Sequence, residues 1–170
     1  AYQASHNHTK TLWLLKCDIK KFFASIDQAV LLNLLQKHIT DAGLLNLIKI
    51  IVSSFPSSKT GVGLPLGNLT SQLFANVYLN ELDQFIKHGL KQKFYLRYAD
   101  DFVIMNTDKG ELMETLPKVS DFLTEQLKLT LHPDKIFLKI VSSGLDFLGW
   151  THFPDHRVLR TSTKKRMLRN

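Results

Sequence analysis

Residues 94–105 read Phe94-Tyr95-Leu96-Arg97-Tyr98-Ala99-Asp100-Asp101-Phe102-Val103-Ile104-Met105. Two apolar runs, 94–96 and 102–105, flank an acidic pair, which is the pattern of a hairpin bent at Asp100-Asp101. An earlier stretch, Leu15-Lys16-Cys17-Asp18-Ile19, closes another apolar run on a carboxylate. Both stretches set carboxylate at the end or turn of a strand expected to be buried. Charge there is costly unless it is paired or binds a metal. Three carboxylates meeting at one spot would repel each other and raise their pKa values. Divalent cations remove that repulsion. All-oxygen ligands suit Mg2+, which also takes phosphate oxygens. Two such ions roughly 3.5–4 Å apart form the clamp used for in-line attack at phosphorus. Plainer readings stand beside this one. Asp-Asp is a common turn pair, because Asp tolerates left-handed backbone. A single strand-end Asp such as Asp18 is often a helix cap or an ion-pair partner.

At 170 residues the chain has the size of one domain and can bury a substantial core. Apolar residues at 44% and charged residues at 22% place it among globular chains. No uncharged apolar stretch is long enough for a transmembrane span, so no membrane partner is expected. The single cysteine, Cys17, excludes an internal disulfide framework and fits a reducing, cytoplasmic setting. There is no secretory signal. The start at Ala1, almost directly before a strand, suggests a piece of something longer. Net charge is +7 with seven His uncounted, which fits a polyanion partner. Arg157, Arg160, Lys164, Lys165, Arg166 and Arg169 concentrate near the end of the chain. This basic stretch reads either as a phosphate track leading to the acidic site or as a solvated helix start capped by Thr161 or Ser162. The histidines, His132 among them, have no ligand spacing, so no zinc site is expected.

Along the chain there is no repeat, low-complexity tract or linker. Residues 11–19 read as a central strand. Asp27 can cap a helix to about residue 39, with Val30, Leu31, Leu34 and Leu35 inward. A second helix fits 42–53, and 55–66 is a loop rich in Ser, Gly and Pro. A long helix fits 70 to about 88, with Leu73, Val77, Phe85 and Ile86 among its apolar positions, ended by Gly89. The acidic hairpin spans 94–105. Residues 111–127 read as helical, with Pro117 marking the first turn. Short strands fit 129–131, 136–141 and 145–150. This order gives an α+β fold, a ferredoxin-like core in which helices pack on one face of an antiparallel sheet. In such a sheet the first strand lies beside the hairpin and brings Asp18 next to Asp100.

These segments, in this order, resemble the palm of reverse transcriptases of the bacterial retroelement type, from about residue 14 to 150. Residues 16–27, around Asp18, look like the family's first catalytic block. Gly63-Leu64-Pro65-Leu66-Gly67-Asn68-Leu69-Thr70-Ser71-Gln72 looks like the block that contacts template and nucleotide. Tyr98-Ala99-Asp100-Asp101 is similar to the aromatic-x-Asp-Asp signature. Residues 129–135 resemble the block that sets a Lys near the nucleotide. Leu145-Asp146-Phe147-Leu148-Gly149-Trp150 looks like the primer-grip hairpin. The resemblance implies a primer 3′-hydroxyl attacking the α-phosphate of a dNTP on an RNA template, with two Mg2+ ions for which Mn2+ can substitute. It implies Asp18 and Asp100 as bridging ligands and Asp101 as a ligand or a close partner of one, with the Ile19 carbonyl as an extra ligand. Phe23 falls where a ring would clash with a ribose 2′-hydroxyl, and is otherwise core, as Phe22 is expected to be. Gly67 would let backbone approach the nucleotide, and is otherwise a pre-helix turn. The helix start after Asn68 offers free N–H groups to phosphate. Ser71 and Gln72 would meet template, Gln72 being otherwise a surface residue. Lys135 would serve the departing pyrophosphate, and is otherwise a solvated turn residue. Leu148, Gly149 and Trp150 would hold the primer, which is DNA or RNA.

Two features depart from the family pattern. Leu66 stands where most members carry Gln before the Gly, and Gln72 follows Ser71 where they carry Pro. That variant resembles the enzymes of diversity-generating retroelements, which copy RNA with relaxed accuracy, and group II intron-like relatives can share it. Most of the fingers and the thumb are expected to lie outside 1–170, with 151–170 starting the connection to the thumb. The isolated palm is then weakly active or inactive. Three alternatives remain: an RNA polymerase, a template-independent nucleotidyltransferase on the same palm, or a non-catalytic, maturase-like RNA-binding scaffold. An accessory protein of the retroelement is a further expected partner.

Overall fold

The computed structural model describes residues 4, 10–54 and 60–169. The first five residues of the expected 55–66 loop lie outside them.

Strand β1 (Trp13–Asp18) is the axis of the molecule. Its alternation is incomplete because both faces are covered: Leu14, Leu15 and Cys17 are all buried. A short helix α1 (Phe22–Ser25) follows, then α2 (Gln28–Gln36) and α3 (Ala42–Ser53). Asp27 caps α2 as expected, accepting from the Ala29 and Val30 amides at 2.9 and 3.0 Å. The helix stops at Gln36 rather than 39, where the Lys37 amide turns back to the Leu34 and Leu35 carbonyls.

Helix α4 (Leu69–Gln84) carries its core face on Phe74, Ala75, Tyr78, Leu79 and Leu82. Leu73, expected among the apolar positions, is 61% exposed on the opposite side. A π-helical turn over Phe85–Gly89 ends the helix. There Phe85 stacks on Phe122 with centroids 4.2 Å apart. A Cβ at Gly89 would sit 3.0 Å from the Phe85 ring, so close packing rather than a left-handed cap asks for the glycine.

The hairpin forms as read: β2 (Phe94–Tyr98) turns into β3 (Asp101–Asn106). Helix α5 (Lys109–Leu127) begins before the expected start and holds Pro117 inside it. Asp108 sets that start by accepting from the Gly110 and Glu111 amides. Burial of Leu112 and Thr115 on the first turns outweighs the cost of an exposed proline at mid-helix. Of the strand expected at 129–131, only Leu131 pairs, as a bridge to Ile19.

Four strands form one antiparallel sheet, in the order β2-β3-β1-β4, with β4 at Phe137–Ile140. Helices cover one face. The other is partly covered by a second sheet that sequence reading did not separate. It consists of β5 (Leu145–Phe147), β6 (Trp150–His152) and β7 (Arg157–Leu159). Leu12, Leu14 and Val103 of the first layer pack with Val141, Leu145 and Phe147 of the second. Helix α6 (Thr161–Met167) follows, with Arg160 as its cap residue in place of the expected Thr161 or Ser162, and no side-chain capping bond. Among the described residues no helix is long and apolar enough to cross a membrane.

Candidate active site

Antiparallel pairing of β1 with β3 sets Asp18 directly opposite Asp101. Just past the pair, the Ile19 amide donates to the Asp100 carbonyl at 3.2 Å, locking the turn against the first strand. Strand alternation then decides what surrounds the acids. Leu15, Cys17, Ile19, Phe102 and Ile104 belong to the helix-side core. Lys16 and Asp18 stand on the other face, in register with Val103 and Asp101. The left-handed position of the hairpin turn is taken by Ala99, at φ 51°, and not by either aspartate. The acids are therefore not present to relieve turn strain, which removes the plain reason for an Asp-Asp pair there.

Two lysines meet two of the acids. Lys16 Nζ lies 2.9 Å from Asp101 Oδ2 and donates to the Asp146 carbonyl at 2.7 Å. Lys135 Nζ donates to both oxygens of Asp18, at 3.1 and 3.0 Å. These residues, with Phe137, Lys139, Asp146 and Arg160, line a cavity of about 460 Å³ between the two sheets. Burial pushes the Asp100 carboxyl above its ordinary range, and the charges of Asp18 and Asp101 push it further. Asp101 is also raised, first by burial and then by Asp18, against the pull of Lys16.

Among the described residues, no three of His, Cys, Asp and Glu are gathered tightly enough to hold a metal ion as they stand. The donor set nevertheless fits a hard divalent cation. It is all carboxylate oxygen, its acids repel one another, and Asp101 Oδ1 is buried with no hydrogen-bond partner among the described residues.

The remaining expected residues lie around this centre in several places. Phe23 and Gln72 share a cleft of about 390 Å³ with Ala75, Asn76, Arg97, Tyr98 and Ala99. Phe22 is buried while Phe23 is half-buried, their rings edge-on at 5.3 Å, so the two do face different ways. Gly67, at φ +90°, and Asn68, which makes no capping bond, form the exposed approach to α4. Ser71, expected to meet template, is 2% exposed on the core-facing side of α4. Leu148 and Gly149 form the β5–β6 turn, both at positive φ, and Leu148 and Trp150 line a groove with Tyr98 and Arg157. The Arg157 guanidinium sits 4.8 Å over the Trp150 ring. Lys135 lies at Asp18, and Ile19 sits between Asp18 and the turn.

Sequence reading did not assign Lys16 or Asp146 to the acidic site, and read Arg160 only as part of a basic track leading to it. The first was legible, because a lysine two residues before Asp18 on a strand must share its face. The other two depend on the second sheet, whose packing no local pattern announces. The Arg160 guanidinium lies 3.7 Å from Asp146, which also accepts from the Thr151 hydroxyl.

The sequence and the fold have counterparts. Residues 2–152 match the family model for reverse transcriptase (RNA-dependent DNA polymerase). The chain is 26% identical to the group II intron-encoded protein LtrA of Lactococcus lactis, over 91% of this chain and 36% of that one. It is 29% identical to the Retron Ec73 reverse transcriptase of Escherichia coli, over 91% of this chain and 54% of that one. It thus spans about a third to a half of these two relatives. Apo telomerase from Candida tropicalis, truncated from its C-terminal domain, shares the fold at a TM-score of 0.70 and 15% identity, over 92% of this chain and 37% of that one. With the family model covering residues 2–152 and the palm fold shared, this chain belongs to the reverse transcriptase family.

Proposed function

We propose that the chain is the palm on which a primer 3′-hydroxyl is joined to a dNTP under the direction of an RNA template. The observation that carries this reading is the register pairing of Asp18 with Asp101 beside Asp100, with one Asp101 oxygen buried and unpartnered among the described residues. Asp18 and Asp100 would hold a pair of Mg2+ or Mn2+ ions, with Asp101 and the Ile19 carbonyl completing the oxygen set. When bound, such ions polarise the attacking hydroxyl and neutralise the leaving pyrophosphate.

The chain's own residues supply the rest. Lys16 orients Asp101 and opposes the rise that burial imposes on its carboxyl. Lys135, half exposed, exchanges its Asp18 contact for the anionic triphosphate and neutralises or protonates the leaving group. The Phe23 ring lines the cleft beside the acidic turn and excludes a ribose 2′-hydroxyl. Gln72 and Asn68 border the template side, and Leu148, Gly149 and Trp150 face the primer. Leu66, 77% exposed before Gly67, replaces a polar contact near the nascent pair by an apolar one, which relaxes accuracy. Basic residues of β7 and α6 lead the nucleic acid to the site, and an accessory protein of the retroelement and a cytoplasmic setting complete the picture.

The test is primer extension by the complete enzyme carrying Asp100→Ala. The expected loss is on the order of 3–4 kcal/mol or more in barrier, the scale of a major electrostatic stabiliser, with folding retained. Extension at the parent rate would overturn the assignment. Extension without template, or with ribonucleotides as readily as deoxynucleotides, would point to the other polymerase chemistries. No extension by the parent enzyme would favour an RNA-binding scaffold.

A further inference from the structure

Arg97 lies under the acidic turn on the helix side of the sheet, opposite the face that carries Lys16 and Asp18. It pairs with the buried Phe102 across β2–β3. Its side chain is 10% exposed. The guanidinium forms a two-pronged fork on Asp83 of α4, Nε to Oδ1 at 2.7 Å and Nη2 to Oδ2 at 2.6 Å. Asp83 is steadied by the Tyr95 hydroxyl, which donates to Oδ1 at 2.7 Å. The fork uses one edge of the guanidinium and leaves Nη1 free to reach the turn. Nη1 donates to the Ala99 carbonyl at 3.1 Å and to Asn76 Oδ1 at 3.3 Å.

Ala99 is the left-handed residue on which the turn depends, at φ 51°. A non-glycine residue holds that conformation only when its surroundings over-determine it. The Ala99 carbonyl leads directly into the Asp100 amide, so whatever fixes that carbonyl fixes where the next two side chains start. A planar fork can hold one carboxylate and still present a donor at a set angle, which a lysine ammonium on a flexible stem cannot do.

We propose that Arg97, held by Asp83, is a positioning residue that fixes the left-handed Ala99 and thereby aims Asp100 and Asp101 at the cation site. The inference rests on the reading that those acids serve a divalent cation. A plain staple between α4 and β2 would need the fork alone. The third bond, to the strained turn residue, is what the staple does not explain.

The test uses Mn2+ as probe, its affinity for the folded chain read by electron paramagnetic resonance, with thermal melting alongside. Four variants are compared with the parent: Asp100→Ala, Arg97→Lys, Asp83→Asn and Tyr95→Phe. Tyr95→Phe removes a bond to Asp83 but leaves the fork and the Ala99 contact, so it reports the staple only. The expected result is Mn2+ binding by the parent that Asp100→Ala abolishes and that Arg97→Lys and Asp83→Asn each weaken about tenfold or more, the range for partners that orient metal ligands. Tyr95→Phe should lower the melting temperature with Mn2+ affinity unchanged within about twofold. Binding that depends on Asp100 but is unchanged in both Arg97→Lys and Asp83→Asn overturns the positioning role and leaves the proposed function standing. Should one of those two fail to fold, the other decides alone. Parent binding that is absent, or indifferent to Asp100→Ala, overturns the cation site and this inference with it.

Discussion

At the ends of β1 and β3 nearest the acidic turn, the two faces carry opposite chemistry. On the helix side, Leu15, Cys17, Ile19, Phe102 and Ile104 are at most 1% exposed. Burial there pushes the Cys17 thiol up to about 12, with a further push from Asp101, so it stays an inert apolar filler. On the other side, one residue along, Lys16, Asp18 and Asp101 line a cavity and are held by ion pairs. A period of two is all that separates a sealed core from a reactive surface. The dry face makes the strands rigid, and the rigid strands hold the charges in register. Damage to the first face should therefore appear as lost stability, and loss of the charged groups of the second as lost chemistry in a folded chain.

The largest expected effect breaks the dry face. Phe102→Ala should cost about 3–5 kcal/mol in chemical denaturation, the usual range for a buried aromatic truncated to Ala. A cost below about 1 kcal/mol would mean that the helix-side core does not carry the hairpin.

A smaller effect sharpens the boundary between the faces at Phe23. This ring packs against the core yet lines the cleft beside the acidic turn. Phe23→Ala in the complete enzyme should raise ribonucleotide use by about 1–3 kcal/mol of lost discrimination, within the range open to small pocket changes. Incorporation efficiencies for the two sugars on one template give the comparison. An unchanged ratio would assign Phe23 to the core alone.

The smallest effect is a stability change on the charged face. The Asp100 carboxyl is raised in the folded chain by burial and then by the charges of Asp18 and Asp101. Above its ordinary value of 3.8 the folded chain therefore holds more protons than the unfolded one, and stability falls as pH rises through that window. Asp100→Asn should remove this penalty, so the metal-free variant should be slightly more stable than the parent at neutral pH and no more stable near pH 3. Denaturation curves at the two pH values, in chelator, measure it. A variant less stable at neutral pH would show that the Asp100 charge is satisfied rather than strained.

Much of the fold was legible because its signals are local. The Asp27 cap, helix 42–53 and the hairpin at 94–105 all follow from caps and periodicity within a few residues. The pairing of Asp18 with the acidic turn was legible because an antiparallel sheet leaves β1 few other neighbours. Other features depend on contacts distant in sequence. Pro117 reads as a helix start until Asp108 and the buried Leu112 outweigh it. The second sheet needs three strands of three residues each, too short for a periodicity to register. Ser71 could be placed inward only once Phe74, Ala75 and Tyr78 had fixed the rotation of α4. Asp83 and Arg97 give no sign in sequence that they meet.

Placing the cation itself is the most direct experiment. With Fe2+ in place of Mg2+, hydrogen peroxide as oxidant and ascorbate to recycle the iron, hydroxyl radicals cut the backbone beside a bound ion. In the folded chain the cuts should fall next to Asp18 and at Asp100-Asp101, should be suppressed by excess Mg2+, and should vanish in Asp100→Ala. Cuts elsewhere, or the same cuts in Asp100→Ala, would contradict a cation site built on the two charged strand ends.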